Sequence, residues 1–198
     1  MTLDIRPVTP DRWDDLVELF GPRGAVAGCW CMWWRLSAKE WEQKAYEGNR
    51  RSMRKLVDAG ERPGLLAYRG GKPVGWVSVA PREQFSRIER SRVLGPIDDE
   101  VVWSVVCFFI HRKERGAGVG AALLNAAVDA AAKRGARIVE GYPVDPRGGK
   151  TSNGSAFTGV ASMFRDAGFE EVERRSAGRP IMRKRIRPRG RARTGPAR

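Results

Sequence analysis

Three stretches within the first 110 residues of this 198-residue chain have hydrophobic patterns that predict β-strands. Residues 2–9, TLDIRPVT, predict a short strand. Residues 64–80, GLLAYRGGKPVGWVSVA, predict two strands joined by a Gly-Gly-Lys-Pro turn as an antiparallel hairpin. Residues 101–110, VVWSVVCFFI, are apolar with almost no alternation, so we expect a strand buried on both faces in the middle of a sheet.

Helix signals lie between these strands. Thr, Pro and Asp at positions 9–11 are typical of an N-cap and a first turn, which predicts a helix over residues 9–20. Ser37 and Glu40 form a capping box at the start of a second helical stretch. That stretch is either one helix or two helices separated near Gly48, and it ends at Gly60.

The second half of the chain predicts a crossover unit. After the central strand, a glycine-rich segment opens a helix whose apolar residues recur at helical spacing and which ends at Gly135. Residues 136–144, ARIVEGYPV, follow as a strand, so strand, helix and strand imply a parallel pair. A helix over residues 157–166 and strands near residues 169–175 and 179–185 complete the chain.

The composition, 41% hydrophobic and 30% charged, is typical of a globular protein, and the length favours one domain. No stretch approaches the roughly 18 consecutive apolar residues of a membrane span, and the N-terminus carries acids and lacks the apolar region of a signal peptide. We therefore expect a cytoplasmic protein without membrane contact. The sequence leaves open whether it is a monomer or a homodimer.

The three cysteines, Cys29, Cys31 and Cys107, are too few for a disulfide framework. With the single histidine, His111, they would supply four ligands for a tetrahedral zinc ion, but the paired CxxC spacing of structural zinc sites is missing. We expect reduced, buried thiols and no bound metal.

Positive charge is concentrated at the C-terminus. Residues 183–198 contain eight Arg or Lys and no acid, and removing them lowers the net charge from +14 to +6. Residues 187–198 lack the apolar residues needed to fold, which predicts a disordered Arg-rich tail. Such a tail is compatible with salt-sensitive binding to nucleic acid, or it only keeps the protein in solution.

The segment HRKERGAGVGAALLNAA, residues 111–127, has glycine at every second position from 116 to 120. A glycine loop that opens a helix presents free backbone N–H groups and the positive end of the helix dipole, so it favours an anion such as a phosphate. Gly116, Gly118 and Ala121 fit the dinucleotide pattern G-x-G-x-x-A, with Glu140 about 20 residues further on.

Three features count against a dinucleotide. Five residues, four of them basic or potentially basic, separate the glycines from the preceding strand, whereas a dinucleotide-binding turn follows its strand at once. The residues before the motif predict helices and an antiparallel hairpin. The 78 residues after it are too few for a doubly wound sheet.

The same residues resemble the acyl-CoA loop of the GNAT acyltransferase superfamily, a hydrophobic strand, a short basic turn and then R/Q-x-x-G-x-G/A. Arg115, Gly118 and Gly120 fit this pattern, and MFRDAGFEEVERR at residues 163–175 resembles the second motif of the family. The resemblance covers residues 3–186. It implies an α/β fold of the α+β three-layer type, with a mixed, mostly antiparallel sheet of about seven strands, flanking helices and one parallel pair at the CoA site.

The resemblance also implies where acetyl-CoA binds, within a GNAT-like domain over residues 1–186. The backbone of Phe108, Phe109 and Ile110 would pair with the pantetheine arm. The pyrophosphate would lie against backbone N–H groups, and side chains at the loop glycines would block its approach. The residues implied here are Arg115, Gly116, Ala117, Gly118, Val119, Gly120 and Ala121.

The acid–base residues are harder to assign, because the sequence departs from the family at the usual tyrosine, here Phe164. Glu140 and Tyr142 are two apart on a predicted strand and therefore share a face, which makes them the candidate base and acid. Glu140 could equally pair with an arginine while Tyr142 packs in the core. Glu100 and Ser104 are rival positions for a base or for an ordered water.

Phe157 also replaces an asparagine that is common at the start of that helix in the family. Five of the seven tryptophans precede residue 42, and GCWCMWWRLS predicts either a packed core segment or an aromatic wall for the acceptor. The resulting prediction is an acetyl-CoA-dependent N-acetyltransferase acting on a primary amine of a small molecule or a protein. The alternative is a non-catalytic acyl-CoA-binding or regulatory module whose basic tail binds nucleic acid.

Overall fold

The computed structural model describes residues 2–44, 46–146 and 156–186. The strands are β1 Asp4–Pro7, β2 Gly64–Arg69, β3 Lys72–Pro81, β4 Trp103–Ile110, β5 Ile138–Gly141, β6 Glu170–Glu173 and β7 Ile181–Arg185. The α-helices are α1 Trp13–Phe20, α2 Ala38–Lys44, α3 Glu47–Asp58, α4 Ser86–Glu89, α5 Val119–Lys133 and α6 Ala161–Asp166. Short 3-10 helices span Pro10–Arg12, Arg82–Gln84, Arg112–Glu114 and Ala156–Thr158. The predicted Arg-rich tail, residues 187–198, lies outside the described residues.

The strands form one seven-stranded sheet in the order β1-β2-β3-β4-β5-β7-β6. β4 and β5 are parallel, and every other neighbouring pair is antiparallel. The mixed, mostly antiparallel sheet with one parallel pair is therefore confirmed. β4 lies at the centre of the sheet, as its continuous apolar sequence predicts, because both of its faces are covered.

The two faces of the sheet carry separate cores. One core contains the apolar side of α1 together with Trp76, Phe85 and Tyr142, all three of which are fully buried. We call this side the tryptophan face, because it carries the tryptophan-rich segment. The opposite core packs the Leu and Ala residues of α5 and Phe164 of α6 against the sheet. The sheet is thus the middle of three layers, as predicted.

The helix boundaries differ from the predicted ones at two places. Thr9 makes no side-chain capping bond, and the first turn is a 3-10 turn, so α1 begins only at Trp13. The capping box is confirmed: the Ser37 backbone N–H donates to Glu40 Oε2 at 2.9 Å, and Glu40 N–H donates to Ser37 Oγ at 3.3 Å. The predicted break falls at Tyr46, whose φ of +33° is incompatible with a continuous helix.

Within the described ranges, none of the helices combines the length and the apolar character needed to cross a membrane.

Candidate active site

A bulge in β4 opens the sheet beside β5. Cys107 pairs with Ser78 of β3, and Val105 pairs with the next β3 residue, Val79. Val106 is therefore an extra residue in β4. Pairing of β4 with β5 ends at the same point, with Val105 opposite Gly141. A bulge bends and twists its strand, so β4 turns away from β5 beyond Val105. The result is a gap between two parallel strands, which we call the splayed gap.

The far end of β4 turns the peptide groups of alternate residues away from β3, toward the splayed gap. His111 N–H donates to Val74 O of β3 at 2.9 Å, and in an antiparallel pair such bonds alternate from residue to residue. The N–H and C=O groups of Phe108 and Ile110 therefore point away from β3, whereas those of Phe109 point toward it. Two of the three residues predicted to pair with pantetheine have the required orientation, and Phe109 does not.

The glycine loop ends in a helix start without a cap. Gly116 and Gly118 have φ of +79° and +76°, a left-handed conformation that favours glycine. Gly118 is the N-cap of α5 and offers no side-chain cap, and the first helical bond runs from Ala122 N–H to Gly118 O. The N–H groups of residues 119–121 consequently have no partner within the helix. Arg115, exposed beside them, adds positive charge and donates to Ile110 O at 3.3 Å.

Gly118 and Gly120 differ in the space that surrounds them. A Cβ at Gly118 would meet no atom within 4 Å, so the space above the loop is open to a ligand. A Cβ at Gly120 would lie 3.2 Å from Met163 Sδ of α6, and its φ is ordinary. Close packing of Met163 is thus one reason for a glycine at position 120, and the contact of Gly120 with phosphate stays a prediction.

Glu140 lies at the centre of a buried polar row across three strands. Ser104 of β4 and Arg183 of β7 are its register partners on either side. Arg183 Nε donates to Glu140 Oε2 at 2.6 Å, and Tyr142 OH donates to Glu140 Oε1 at 2.6 Å. Arg183 Nη1 and Nη2 also donate to the two carboxylate oxygens of Asp98, at 2.6 and 3.0 Å. The predicted shared face of Glu140 and Tyr142 is confirmed by this contact.

Each hydroxyl in the row has one proton, and this fixes which group donates and which accepts in each hydrogen bond. Tyr142 OH donates its single proton to Glu140 Oε1, so Ser104 Oγ must donate to Tyr142 OH across their 2.9 Å contact. Burial and the adjacent Glu140 charge raise the pKa of Tyr142 well above its ordinary value. Tyr142 is thus a neutral, engaged donor at physiological pH.

A second arginine approaches the same carboxylate. Arg82 Nη1 lies 3.8 Å from Glu140 Oε1, and Arg82 Nε donates to Glu89 at 2.8 Å. Glu140 is only 1% exposed, and a buried carboxylate needs such cations to remain ionised. Of the two roles predicted for Glu140, these contacts favour the ion-paired one.

The rival residues occupy different places. Glu100 is exposed, precedes β4 and lies 3.4 Å from Arg185, at the end of the strand remote from the splayed gap. Ser104 is fully buried and belongs to the polar row. Ser104 is therefore linked to the gap through Tyr142, and Glu100 is not.

Two phenylalanines stand where the family usually has polar side chains. Phe164 is fully buried between Phe108 and Phe169, and Gly141 is a glycine because any Cβ there would fall into the Phe164 ring. Phe157 lies on the tryptophan face with its ring 6.1 Å from that of Trp34. Neither side chain can transfer a proton.

The tryptophan-rich segment divides into a core part and a surface part. Trp30 is buried and stacks on Trp13 at 5.8 Å, as the core interpretation predicts. Trp33 and Trp34 are half-buried and line a cleft of about 370 Å³, with the Arg87 guanidinium 3.9 Å above the Trp33 ring. The core interpretation therefore holds for Trp30, and the acceptor wall stays a prediction for Trp33 and Trp34.

The cysteines are buried or half-buried thiols. Cys31 Sγ lies 3.3 Å from Cys107 Sγ and accepts the Trp76 indole N–H at 3.0 Å. Desolvation raises the pKa of Cys29 to about 12, which disfavours a reactive thiolate. In the part of the chain that the structure describes, no three His, Cys, Asp or Glu side chains form a group able to hold a metal ion.

Sequence reasoning missed the two arginines that hold Glu140. Arg183 follows two buried apolar residues within β7. A charged residue at such a position of a strand could have indicated a buried ion pair. Arg82 gave no signal, because it lies in a polar loop and reaches the row only through the turn after β3.

The fold defined by these elements is that of N-acetyltransferases. It is similar to the PaiA N-acetyltransferase of Thermoplasma acidophilum in complex with coenzyme A, with a TM-score of 0.52 and 15% identity, over 94% of this chain and all of that one. It is also similar to a ribosomal-protein-alanine N-acetyltransferase of Brucella melitensis, with a TM-score of 0.54 and 17% identity, over 92% of this chain and 99% of that one. At these identities the likeness establishes the fold alone.

The chain belongs to the acetyltransferase (GNAT) family, whose model matches residues 30–145. It is 30% identical over 172 residues to an uncharacterised N-acetyltransferase of Methanocaldococcus jannaschii, a match that covers 87% of this chain. The chain spans about 62% of the length of that relative.

Proposed function

We propose that this protein is an acetyl-CoA-dependent N-acetyltransferase that transfers the acetyl group to a primary amine. The observation that carries the proposal is the open glycine loop at the start of α5, next to the free edge of β4. Family membership supports acyl transfer, and the loop supports the acyl-CoA donor.

The residues of the loop fit the anionic end of acetyl-CoA. The uncapped N–H groups of residues 119–121 and the open space above Gly118 suit a pyrophosphate, which the helix dipole also favours. The outward-facing peptide groups of Phe108 and Ile110 suit the amides of a pantetheine arm. We assign acetyl-CoA the role of acyl donor and give it no metal partner.

Positioning supplies most of the rate in this proposal. Holding an amine against a thioester in the splayed gap replaces an encounter in solution by a reaction within one complex. An alkylamine of pKa about 10 is almost entirely ammonium at pH 7, and removing its proton costs roughly 4 kcal/mol. We propose that water takes this proton, because Arg183 and Tyr142 already occupy the oxygens of Glu140.

Glu140→Gln tests the role of Glu140. If Glu140 is a positioning anion, the variant unfolds more easily but keeps turnover per folded molecule within about tenfold from pH 6 to 9. If Glu140 is the base, turnover falls by roughly 10² to 10⁴ at neutral pH and partly recovers at high pH, where the amine deprotonates by itself.

Release of free CoA thiol in the presence of amines tests the function as a whole. Amine-dependent release supports the proposal. Tight CoA binding without transfer to any amine would instead favour the non-catalytic acyl-CoA-binding module.

A further inference from the structure

Arg179 is a half-buried arginine in the loop between β6 and β7. Its Nη1 donates to Thr158 Oγ1 at 3.2 Å, and Thr158 is fully buried. The other two guanidinium nitrogens are open to solvent and have no hydrogen-bond partner among the residues that the structure describes. Arg179 is therefore fixed to the protein through one nitrogen and keeps an edge that a ligand can reach.

The strand register places Arg179 at the end of the sheet where the splayed gap opens. β7 runs antiparallel to β5, with its second residue opposite Gly141, so the residues before β7 lie beyond the last paired residue of β5. Asp145 N–H donates to Gly178 O at 2.9 Å, which holds the β6–β7 loop beside the chain that leaves β5. β4 and β5 separate at the same level, because their pairing ends with Val105 opposite Gly141.

The partner of Arg179, Thr158, belongs to a segment that contacts both sides of the gap. On the β5 side, Val144 N–H donates to Gly159 O at 2.9 Å. On the β4 side, a Cβ at Gly159 would lie 3.3 Å from Cε2 of the Phe108 ring. The guanidinium of Arg179 thus lies against the segment that joins the two separating strands.

Neighbouring residues show on which face of the sheet this site opens. Phe157 packs into the core of the tryptophan face, with its ring 6.1 Å from that of Trp34. Ile181 belongs to the same core. Arg179 precedes Pro180, which favours an extended backbone, and residues two apart in an extended chain share a face. The Arg179 side chain is therefore expected on the tryptophan face, next to these aromatic rings.

The charge of Arg179 has no counterion in the described ranges. Asp145, whose backbone contacts the same loop, accepts from Arg174 at 2.8 Å and from Arg165 at 3.3 Å, and no Asp or Glu of the described chain forms an ion pair with Arg179. Loss of water around the guanidinium lowers the pKa of Arg179. An anion bound beside it would offset this cost.

We infer that Arg179 binds a carboxylate of the acceptor, so that the acceptor is an amine that also carries a carboxylate. Neighbouring N–H groups of a guanidinium lie in one plane at the spacing of the two carboxylate oxygens, whereas a neutral carbonyl would satisfy only one of them. Phe157 and Trp34 suit an apolar body on the same molecule. The inference rests on the proposed function for the presence of an amine in the gap, and on Arg179 for the charge of the molecule.

Matched acceptors test the inference through turnover. We expect kcat/KM for the preferred amino acid to exceed that for its amide by at least about tenfold, because the amide keeps the amine and loses the charge. Arg179→Gln should lower kcat/KM for the acid by roughly 100-fold and leave the amide almost unchanged, so that the preference disappears. Arg175→Gln is the matched control, because Arg175 lies on the same loop and donates only to the backbone carbonyls of Gly95 and Pro96. It should keep the preference.

A binding experiment separates this inference from the proposed function. With CoA present, benzoate should raise the melting temperature of the wild type, and the neutral benzamide should not. Arg179→Gln should abolish the benzoate shift, and Arg179→Lys, which keeps the charge without the planar edge, should retain only part of it. If Arg179 served only to hold Thr158, Arg179→Gln would lower the melting temperature without changing the difference between the two probes.

Equal shifts for the two probes in the wild type, or an unchanged benzoate shift in Arg179→Gln, would overturn the assignment to Arg179. If Arg179→Gln does not fold, the probe shifts of the wild type and of Arg179→Lys decide the question. Transfer to amines without any preference for acids would overturn the inference and leave the proposed function standing. A benzoate shift that depends on Arg179, together with no transfer to any amine, would overturn the proposed function and leave the carboxylate site standing.

Discussion

The glycine loop follows the end of β4, the polar row around Glu140 lies within the β4–β5 pair, and the two regions are built in opposite ways. The loop is a continuous stretch, exposed, with backbone donors that have no partner within the helix. The row is assembled from β4, β5 and β7, is almost fully buried, and has its side-chain donors and acceptors engaged with each other. One region is prepared for a ligand, and the other holds the sheet together next to it.

This difference shows why buried titratable residues are a weak guide to catalysis. Glu140 and Tyr142 have the composition of an acid–base pair, but their contacts are already satisfied within the protein. The groups that face a possible ligand are the first N–H groups of α5 and the peptide groups at the far end of β4. We therefore expect substitutions in the row to change mainly stability and substitutions in the loop to change mainly binding.

The largest effect is expected from Arg183→Met, which leaves the Glu140 carboxylate buried without its closest cation. Breaking a buried ion pair in this way costs about 3–5 kcal/mol in the free energy of unfolding, measured by urea denaturation. Arg185→Met is the matched control, because Arg185 lies two residues further along β7 with a 70% exposed side chain, and it should cost under about 1 kcal/mol. Equal losses in the two variants would show that Arg183 contributes only as a surface charge.

Gly118→Val should have the next largest effect, on CoA binding. The valine would strain a φ of +76° and place methyl groups in the open space above the loop. We expect at least a 100-fold weaker affinity for CoA in isothermal titration calorimetry, equivalent to about 2.7 kcal/mol.

Gly135→Val is the matched control for that experiment. Gly135 follows the other end of α5 and has a φ of +91°, and a Cβ there would also meet no atom within 4 Å. The variant should lose similar stability and keep CoA affinity. A folded Gly118→Val protein that binds CoA normally would show that the loop does not hold the pyrophosphate.

Tyr142→Phe should have a smaller effect, on stability. It removes the donor to Glu140 Oε1 and the acceptor of Ser104 without changing the packing, at an expected cost of about 1–3 kcal/mol. Tyr68→Phe, which removes a part-buried bond to Asp15 at 2.7 Å near the other edge of the sheet, should cost less. Loss of acetyl transfer in Tyr142→Phe at unchanged stability would instead make Tyr142 the catalytic acid.

The smallest effect concerns acid stability. The hydrogen bond from Arg183 lowers the pKa of Asp98, so the stability that this pair contributes is present above the unfolded pKa of about 3.9 and is lost as the pH falls through the folded value. Melting temperatures of the wild type and Asp98→Asn should therefore differ at pH 6 and converge toward pH 2. A difference that is constant over this range would mean that the charge of Asp98 is not the source.

Most of the elements and the glycine loop can be predicted from local sequence patterns, because both depend on neighbouring residues. A continuous apolar run placed β4 in the centre of the sheet, and Gly118 in front of an alanine-rich helix predicted an uncapped helix start. These are local rules of burial and backbone conformation, and they need no knowledge of distant residues.

The surroundings of Glu140 follow from which strands become neighbours in the folded chain. Glu140 meets Arg183, 43 residues further on, because β7 enters the sheet next to β5 instead of following β6 at the edge. Whether a charge is paired depends on which strands become neighbours, and the sequence pattern of a single strand does not contain that information.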